Sequence, residues 1–214
     1  MPDLPTLGIF VAASLPLLLV PGPAVLYIVA RGMDGGRSAG LISMLGVQVG
    51  AVVHIAFAAV GLSAILASSA VAFSVVKWLG VAYLIWLGIS RLISRDEVET
   101  PANVERKRPV DLFWQGALVN VLNPKTALFF LAFLPQFIDP SQSAAWVQVL
   151  ALGLTFVFLA MCTDSLYALI SGTAGGWLKR RYESAGFRRG QRYLTGGIYL
   201  ALGAFTAVSG SGKD

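Results

Sequence analysis

Charge is scarce in this chain. Of its 214 residues only 13% are Asp, Glu, Lys or Arg, while 56% are hydrophobic. Soluble domains carry about 25% charged residues, so the composition excludes one and indicates an integral membrane protein. There is one cysteine, Cys162. That excludes an internal disulfide and a dithiol redox pair, and Cys162 reads as a packing residue. There is one histidine, His54, and no cluster of cysteines, so no metal site of ordinary ligand composition is expected and no cofactor is implied. Met1 to Val20 hold no Lys or Arg. A cleaved signal peptide has a basic start, so none is expected here. The net charge of +5 does not signal nucleic acid, because the basic residues lie between apolar runs rather than along one soluble face.

What the chain does have is a series of apolar runs, at roughly 7–31, 39–66, 70–93, 112–138, 146–172 and 193–209. A helix crosses a bilayer with about 20 apolar residues. The expectation is an all-α integral membrane protein with six transmembrane helices in a single domain over residues 1–214. Its half-repeats are about 1–93 and 112–209, joined by a mixed-charge linker at 94–111. The second and third runs form a tight hairpin around Ser68-Ser69, and the last run is short and rich in glycine. Thirteen of the 16 basic residues fall in the loops after the first, third and fifth runs or, as Arg31 and Arg91 do, at the run ends that bound them. Basic loops stay in the cytoplasm, which puts both termini outside it.

Two of the runs are broken near their middles. Pro21-Gly22-Pro23 interrupts the first, and Asn123-Pro124-Lys125 interrupts the fourth. Proline has no N–H and clashes with the preceding turn, so each run becomes two half-helices. A shift of 103 residues aligns Phe10 with Phe113, Ala13 with Gly116, Pro21 with Pro124 and Ala24 with Ala127. Three spans per half is an odd number, so the second half sits upside down relative to the first. This is the 3+3 inverted repeat, with broken helices 1 and 4, that places a binding site near the membrane midplane. Gly22-Pro23 and Asn123-Pro124 both read as N-cap followed by the first helical residue. Two helix N-termini then approach the centre from opposite sides, each with free N–H groups and about half a positive charge. Such a centre suits an anion, and a carboxylate in particular.

Few side chains in these runs carry chemistry. Lys125 lies near the middle of its run, too far from the interface to snorkel, and at a helix N-terminus where its charge is disfavoured. Both terms call for an anionic partner or a functional use. Asp164 is the acidic residue inside a run. Desolvation disfavours a charged carboxylate, so Asp164 is a candidate for the substrate ammonium or for a coupling proton. His54 is a second proton-coupling candidate, against the commoner alternative of a packed, hydrogen-bonded histidine. Gly46, Gly50 and His54 share one helix face, and those glycines, with Gly80 and Gly88, admit close helix packing within one chain or between copies. Lys77 can snorkel from its run. Asn120, one turn before Lys125, can hydrogen-bond in the cavity.

The pattern resembles the LysE/RhtB family of bacterial amino-acid exporters. The matching elements are Pro21-Gly22-Pro23, the series Gly46, Gly50 and His54, and then Lys77, Gly80, Tyr83, Leu84 and Gly88. In the fourth run they are Gly116, Asn120, Asn123-Pro124-Lys125 and Phe133-Leu134-Pro135-Gln136-Phe137. The resemblance implies an inner-membrane secondary transporter that exports an amino acid or close derivative, driven by the proton-motive force. Its partners would be the amino acid, protons and the lipid bilayer. With Asp164 the one acidic group available to the cavity, a neutral zwitterion fits better than a dibasic substrate. A membrane enzyme is disfavoured by the missing residue clusters. The other reading, an ion or metal permease of similar architecture, would call for more intramembrane carboxylates, histidines or thiols.

Overall fold

The computed structural model describes residues 2–68, 108–139 and 144–182, and isolated residues between 75 and 93 and between 186 and 204. The described residues form helices and short connections, with no strand among them. Most of the expected runs 70–93 and 193–209, with Lys77, Gly80 and Gly88, lies outside the described residues, as does the linker 94–107.

Helix α1 spans Leu4–Leu19. The Asp3 side chain caps it, accepting the Thr6 N–H at 2.9 Å. Sixteen residues rise only about 24 Å, short of a hydrocarbon core of about 30 Å. Val20 ends the helix in extended geometry, as a residue before proline must. Helix α2, Pro23–Ser68, then begins on the second proline of the break.

Within α2 the backbone is non-helical at Gly36, with φ 74° and ψ −173°. Only glycine takes that conformation without strain. The chain folds back there. Cβ atoms built on Gly32 and Gly40 would lie 3.3 and 3.2 Å from the same oxygen, the carbonyl of Ala168. A straight helix would hold those two glycines about 12 Å apart. Ala24 and Val47, and Ile28 and Met44, stand at matching distances on either side of Gly36 and share one buried cluster. The loop expected between the first two runs is thus a one-residue turn, with helix continuing up to it from both sides.

Helix α3 is Pro109–Val121 and helix α4 is Pro124–Leu128. The chain bends by 47° between them. Beyond α4 the expected half-helix does not continue as α-helix. Phe129–Phe133 is a π-turn in which the Leu134 N–H reaches the carbonyl of Phe129. Leu134–Phe137 is a turn of 3₁₀-helix around Pro135. Pro135 can donate no backbone bond and disfavours an α-conformation before it, which accounts for the change of winding. Helix α5, Ala145–Tyr182, is helical except at Ala174. Gln148 fixes its start by a reciprocal pair with the Asp139 backbone, accepting from N–H at 3.0 Å and donating to the carbonyl at 2.7 Å.

The far arm of α2 sits between α3 and α5. Gly46 meets Phe113, and Gly50 meets Ala117, so α3 runs parallel to it. Ile55 meets Gly153, Gln48 meets Asp164 and Arg37 meets Gly172, so α5 runs antiparallel. Phe10 of α1 packs with Phe129, Phe133 and Phe137 at centroid distances of 5.8, 6.5 and 5.2 Å, and Phe156 of α5 stacks on Phe129 at 4.1 Å. The outward faces are apolar, with Phe57, Val60, Leu154 and Phe158 exposed as lipid-facing residues are. Cys162 is exposed on that face of α5, not packed inside as expected. Among the described residues two helices are long and apolar enough to cross a membrane, and up to three if Pro109–Val121 and its bent continuation Pro124–Phe137 count as one span.

Gly50 tests the closeness of the α2–α3 contact. A Cβ there would lie 2.6 Å from the Ala117 carbonyl oxygen, so Gly50→Ala should destabilise by about 1–3 kcal/mol through overpacking. Gly61 has nothing within 4 Å, and Gly61→Ala should be neutral or stabilising by up to about 1 kcal/mol. Thermal melts of the detergent-solubilised variants would separate the two. Equal melting temperatures would contradict the packing described.

Candidate functional site

The two breaks meet. Lys125, the second residue of α4, crosses over the first break, where a Cβ built on Gly22 would lie 2.9 Å from Lys125 Cδ. Its Nζ donates to the carbonyl of Val20, the residue that ends α1. Tyr167 of α5 donates its hydroxyl hydrogen to the neighbouring Leu19 carbonyl at 2.7 Å. The last carbonyls of any helix lack partners within it, and hydrocarbon offers no water to replace them. Two distant segments thus supply what the end of α1 lacks. A cation is also favoured at a helix C-terminus. Weighed against its own helix alone, Lys125 looks misplaced. Its partner is the opposite end of a different helix.

The second break is held by side-chain amides. Asn123 caps α4, its Oδ1 accepting the Lys125 backbone N–H at 3.1 Å. Its Nδ2 donates to Asn120 Oδ1 at 3.1 Å and to Thr126 Oγ1 at 3.0 Å. Thr126 donates to Asn120 Oδ1 at 2.8 Å, and Asn120 Nδ2 donates to the Val47 carbonyl at 2.7 Å. All three side chains are buried. The network therefore pins the break to the far arm of α2.

Between the breaks lies a cavity of about 40 Å³. A buried water needs about 10–15 Å³ on this measure, so the space admits roughly three waters. Leu17 and Leu18 of α1, Gly22, Gln48 of α2, Asn120, Asn123, Lys125, Thr126, and Phe156 and Asp164 of α5 line it, with small apolar neighbours. Asp164 is only 5% exposed and accepts a hydrogen bond from Gln48 Nε2 at 2.9 Å. Lys125 acts on the Asp164 carboxyl electrostatically.

The structure brings Gly22, Asn120, Asn123, Lys125 and Asp164 to one cavity. Pro21, Pro23 and Pro124 shape the breaks without lining it. His54 lies on the far side of Asn120, in the packed arrangement that competed with a proton-relay role. Its Nε2 bonds the Asn120 carbonyl at 2.9 Å, which requires the proton on Nε2, and its ring stacks on Phe130. Gly46 and Gly50 share its face, turned toward α3. Sequence reasoning missed Gln48, Thr126 and Tyr167. Each is a polar group within an apolar run, and Tyr167 stands one turn from Asp164. α1 ends at Val20 and α2 starts at Pro23, whereas α3 gives way at Leu122 and α4 starts at Pro124. The helix ends at the two breaks stand 102 residues apart and the helix starts 101, beside 103 for the aligned Pro21 and Pro124.

A helical membrane protein with a small pocket between two broken helices, apolar for the most part but lined by Lys125, Asp164 and side-chain amides, has the construction of a membrane transporter. The family comparison agrees: residues 15–210 match the model of the LysE type translocator, and the chain belongs to that family. It is 30% identical over 191 residues to an uncharacterised membrane protein of Vibrio cholerae, covering 89% of this chain and 91% of that one. It is 29% identical over 198 residues to the homoserine/homoserine lactone efflux protein of Salmonella typhimurium, covering 92% and 94%. It is 28% identical over 196 residues to the leucine efflux protein of an Enterobacter species, covering 91% and 92%. No solved structure matches it.

The bond between Lys125 and Val20 can be tested apart from transport. Lys125→Met keeps the side chain's length and removes its donor. Loss of a hydrogen bond from a charged group costs about 1.5–3 kcal/mol. Backbone amides from Leu19 to Leu26 should exchange with deuterium about tenfold faster or more in the variant, while those of α3 stay unchanged. Unaltered exchange at the first break would show that its end is held by other contacts.

Proposed function

We propose that this protein is a secondary transporter that exports an amino acid or a close derivative from the cytoplasm, coupled to the proton-motive force. The observation that carries the reading is that Lys125 and Asp164, opposite charges from different helices, line one buried cavity between the two breaks. Family membership and the names of the relatives, efflux proteins for homoserine, its lactone and leucine, support the substrate class. In this reading the chain lies in the inner membrane with both termini outside the cytoplasm. It forms one domain of six spans, arranged as a 3+3 inverted repeat.

The mechanism is alternating access. The substrate carboxylate sits at the half-helix N-termini after Gly22 and Asn123 and draws the Lys125 ammonium from the Val20 carbonyl. The substrate ammonium faces Asp164. A carboxylate that is costly to keep charged in hydrocarbon takes a proton when the substrate cation leaves and gives it up when the cation arrives. Outward flow of substrate is thereby linked to inward flow of protons. A pocket with room for roughly three waters is too small for an amino acid, so its walls separate to admit one.

Purified protein in proteoliposomes would test this. Efflux of labelled leucine and homoserine should accelerate with an inward proton gradient. Lys125→Ala and Asp164→Asn should each reduce it at least tenfold while eluting as folded protein. Normal efflux from both variants would remove these residues from the mechanism, and efflux indifferent to the gradient would remove the proton coupling.

A further inference from the structure

Gln48 stands out among the cavity residues. It is 6% exposed, on the far arm of α2 opposite Asp164. Its Nε2 donates to Asp164 Oδ2 at 2.9 Å. With Asp164 ionised its oxygens accept and cannot donate, so in that state Nε2 is the end of the amide that faces Asp164. The other end, Oε1, is buried and makes no hydrogen bond. A buried acceptor left without a donor costs about 1–3 kcal/mol, and most such atoms in proteins are paired. Here the unpaired atom belongs to a residue lining the cavity, beside the carboxylate.

Resting on the exporter reading, we propose that Gln48 is a second acceptor for the substrate ammonium. Gln48 Oε1 and the Asp164 carboxylate together hold the protonated amine, which carries three donors. Binding is then unequal at its two ends. At the amine end the ligand satisfies an acceptor that has no partner. At the carboxylate end Lys125 is already bonded to the Val20 carbonyl, so part of what its charge can gain is already made. The amine end therefore sets affinity, and the substrate class is solutes with a free protonated amine beside a small or apolar side chain. The carboxylate contributes less.

Counterflow of labelled leucine in proteoliposomes, with two competitors, tests this. Leucinamide keeps the ammonium and has no carboxylate. N-acetylleucine keeps the carboxylate and has no ammonium. Leucinamide should compete within about tenfold of leucine, and N-acetylleucine at least tenfold more weakly than leucinamide. Gln48→Met, similar in length but without the acceptor, should raise the half-saturating leucine concentration roughly tenfold to hundredfold. It should also narrow the gap between the competitors. If N-acetylleucine competes as well as leucinamide, the inference is overturned whether or not the variant folds. An unchanged half-saturating concentration in a folded Gln48→Met would also overturn it, leaving the exporter reading intact. Absence of exchange by the native protein for leucine, homoserine and other neutral amino acids alike would remove both.

Discussion

A carbonyl at the end of a helix in hydrocarbon must find a donor, and at the end of α1 that donor is Lys125. The need follows from Pro21-Gly22-Pro23, which stops one helix and starts another within three residues. Unpaired polar groups in an apolar medium cost several kcal/mol each. Val20 and Leu19 avoid that cost through Lys125 and Tyr167, which come from α4 and α5. The second break solves the same problem with neutral groups, Asn120, Asn123 and Thr126. The breaks are thus unlike in chemistry although alike in position. One is closed by a charge that can be drawn away, the other by a network that is complete within itself.

That difference bears on how the cavity opens. The Asn120–Asn123–Thr126 network ties α3 and α4 to the Val47 carbonyl. Gly46 and Gly50 bring the backbone of α2 against the backbone of α3. Backbones in direct contact have no side chains to rearrange between them, so these elements form one tightly packed unit. The Lys125–Val20 contact needs only another anion or water near Lys125 to be exchanged. A helix end held by an exchangeable cation is sensitive to whatever enters the cavity.

Much of this was legible in the sequence because proline and buried charge are strong signals with few explanations. The two breaks, the half-helix starts at Pro23 and Pro124, and the approach of Lys125 and Asp164 to one cavity all follow from residues whose cost in lipid demands a partner. What was not legible depended on three-dimensional pairing. Lys125 was weighed against the helix it starts, and its partner lies 105 residues away in sequence. Gln48 and Thr126 are too ordinary in membrane helices to draw notice alone. Gly36 sits between Gly35 and Arg37 in a polar stretch that reads as a loop, and nothing local shows that one residue makes the turn. The winding of 129–137 depends on how Pro135 and four phenylalanines pack against α1 and α5.

The attachment of α1 differs from that of the other helices around the pocket. α2, α3 and α5 touch through small residues: Gly32 and Gly40 on Ala168, Gly116 on Ser43, Gly153 on Ile55. Among the described residues, the one glycine of α1, Gly8, has open space around it. α1 is held at one end by the rings around Phe10 and at the other by hydrogen bonds to the Leu19 and Val20 carbonyls. Lipid competes well with apolar contacts between helices, because its tails are as apolar as the side chains. The hydrogen bonds are therefore the selective part of the attachment, and they form at the wall of the cavity. On the exporter reading, a ligand that engages Lys125 there competes for the donor that closes the end of α1, which links occupancy of the pocket to the attachment of that helix end through one backbone carbonyl.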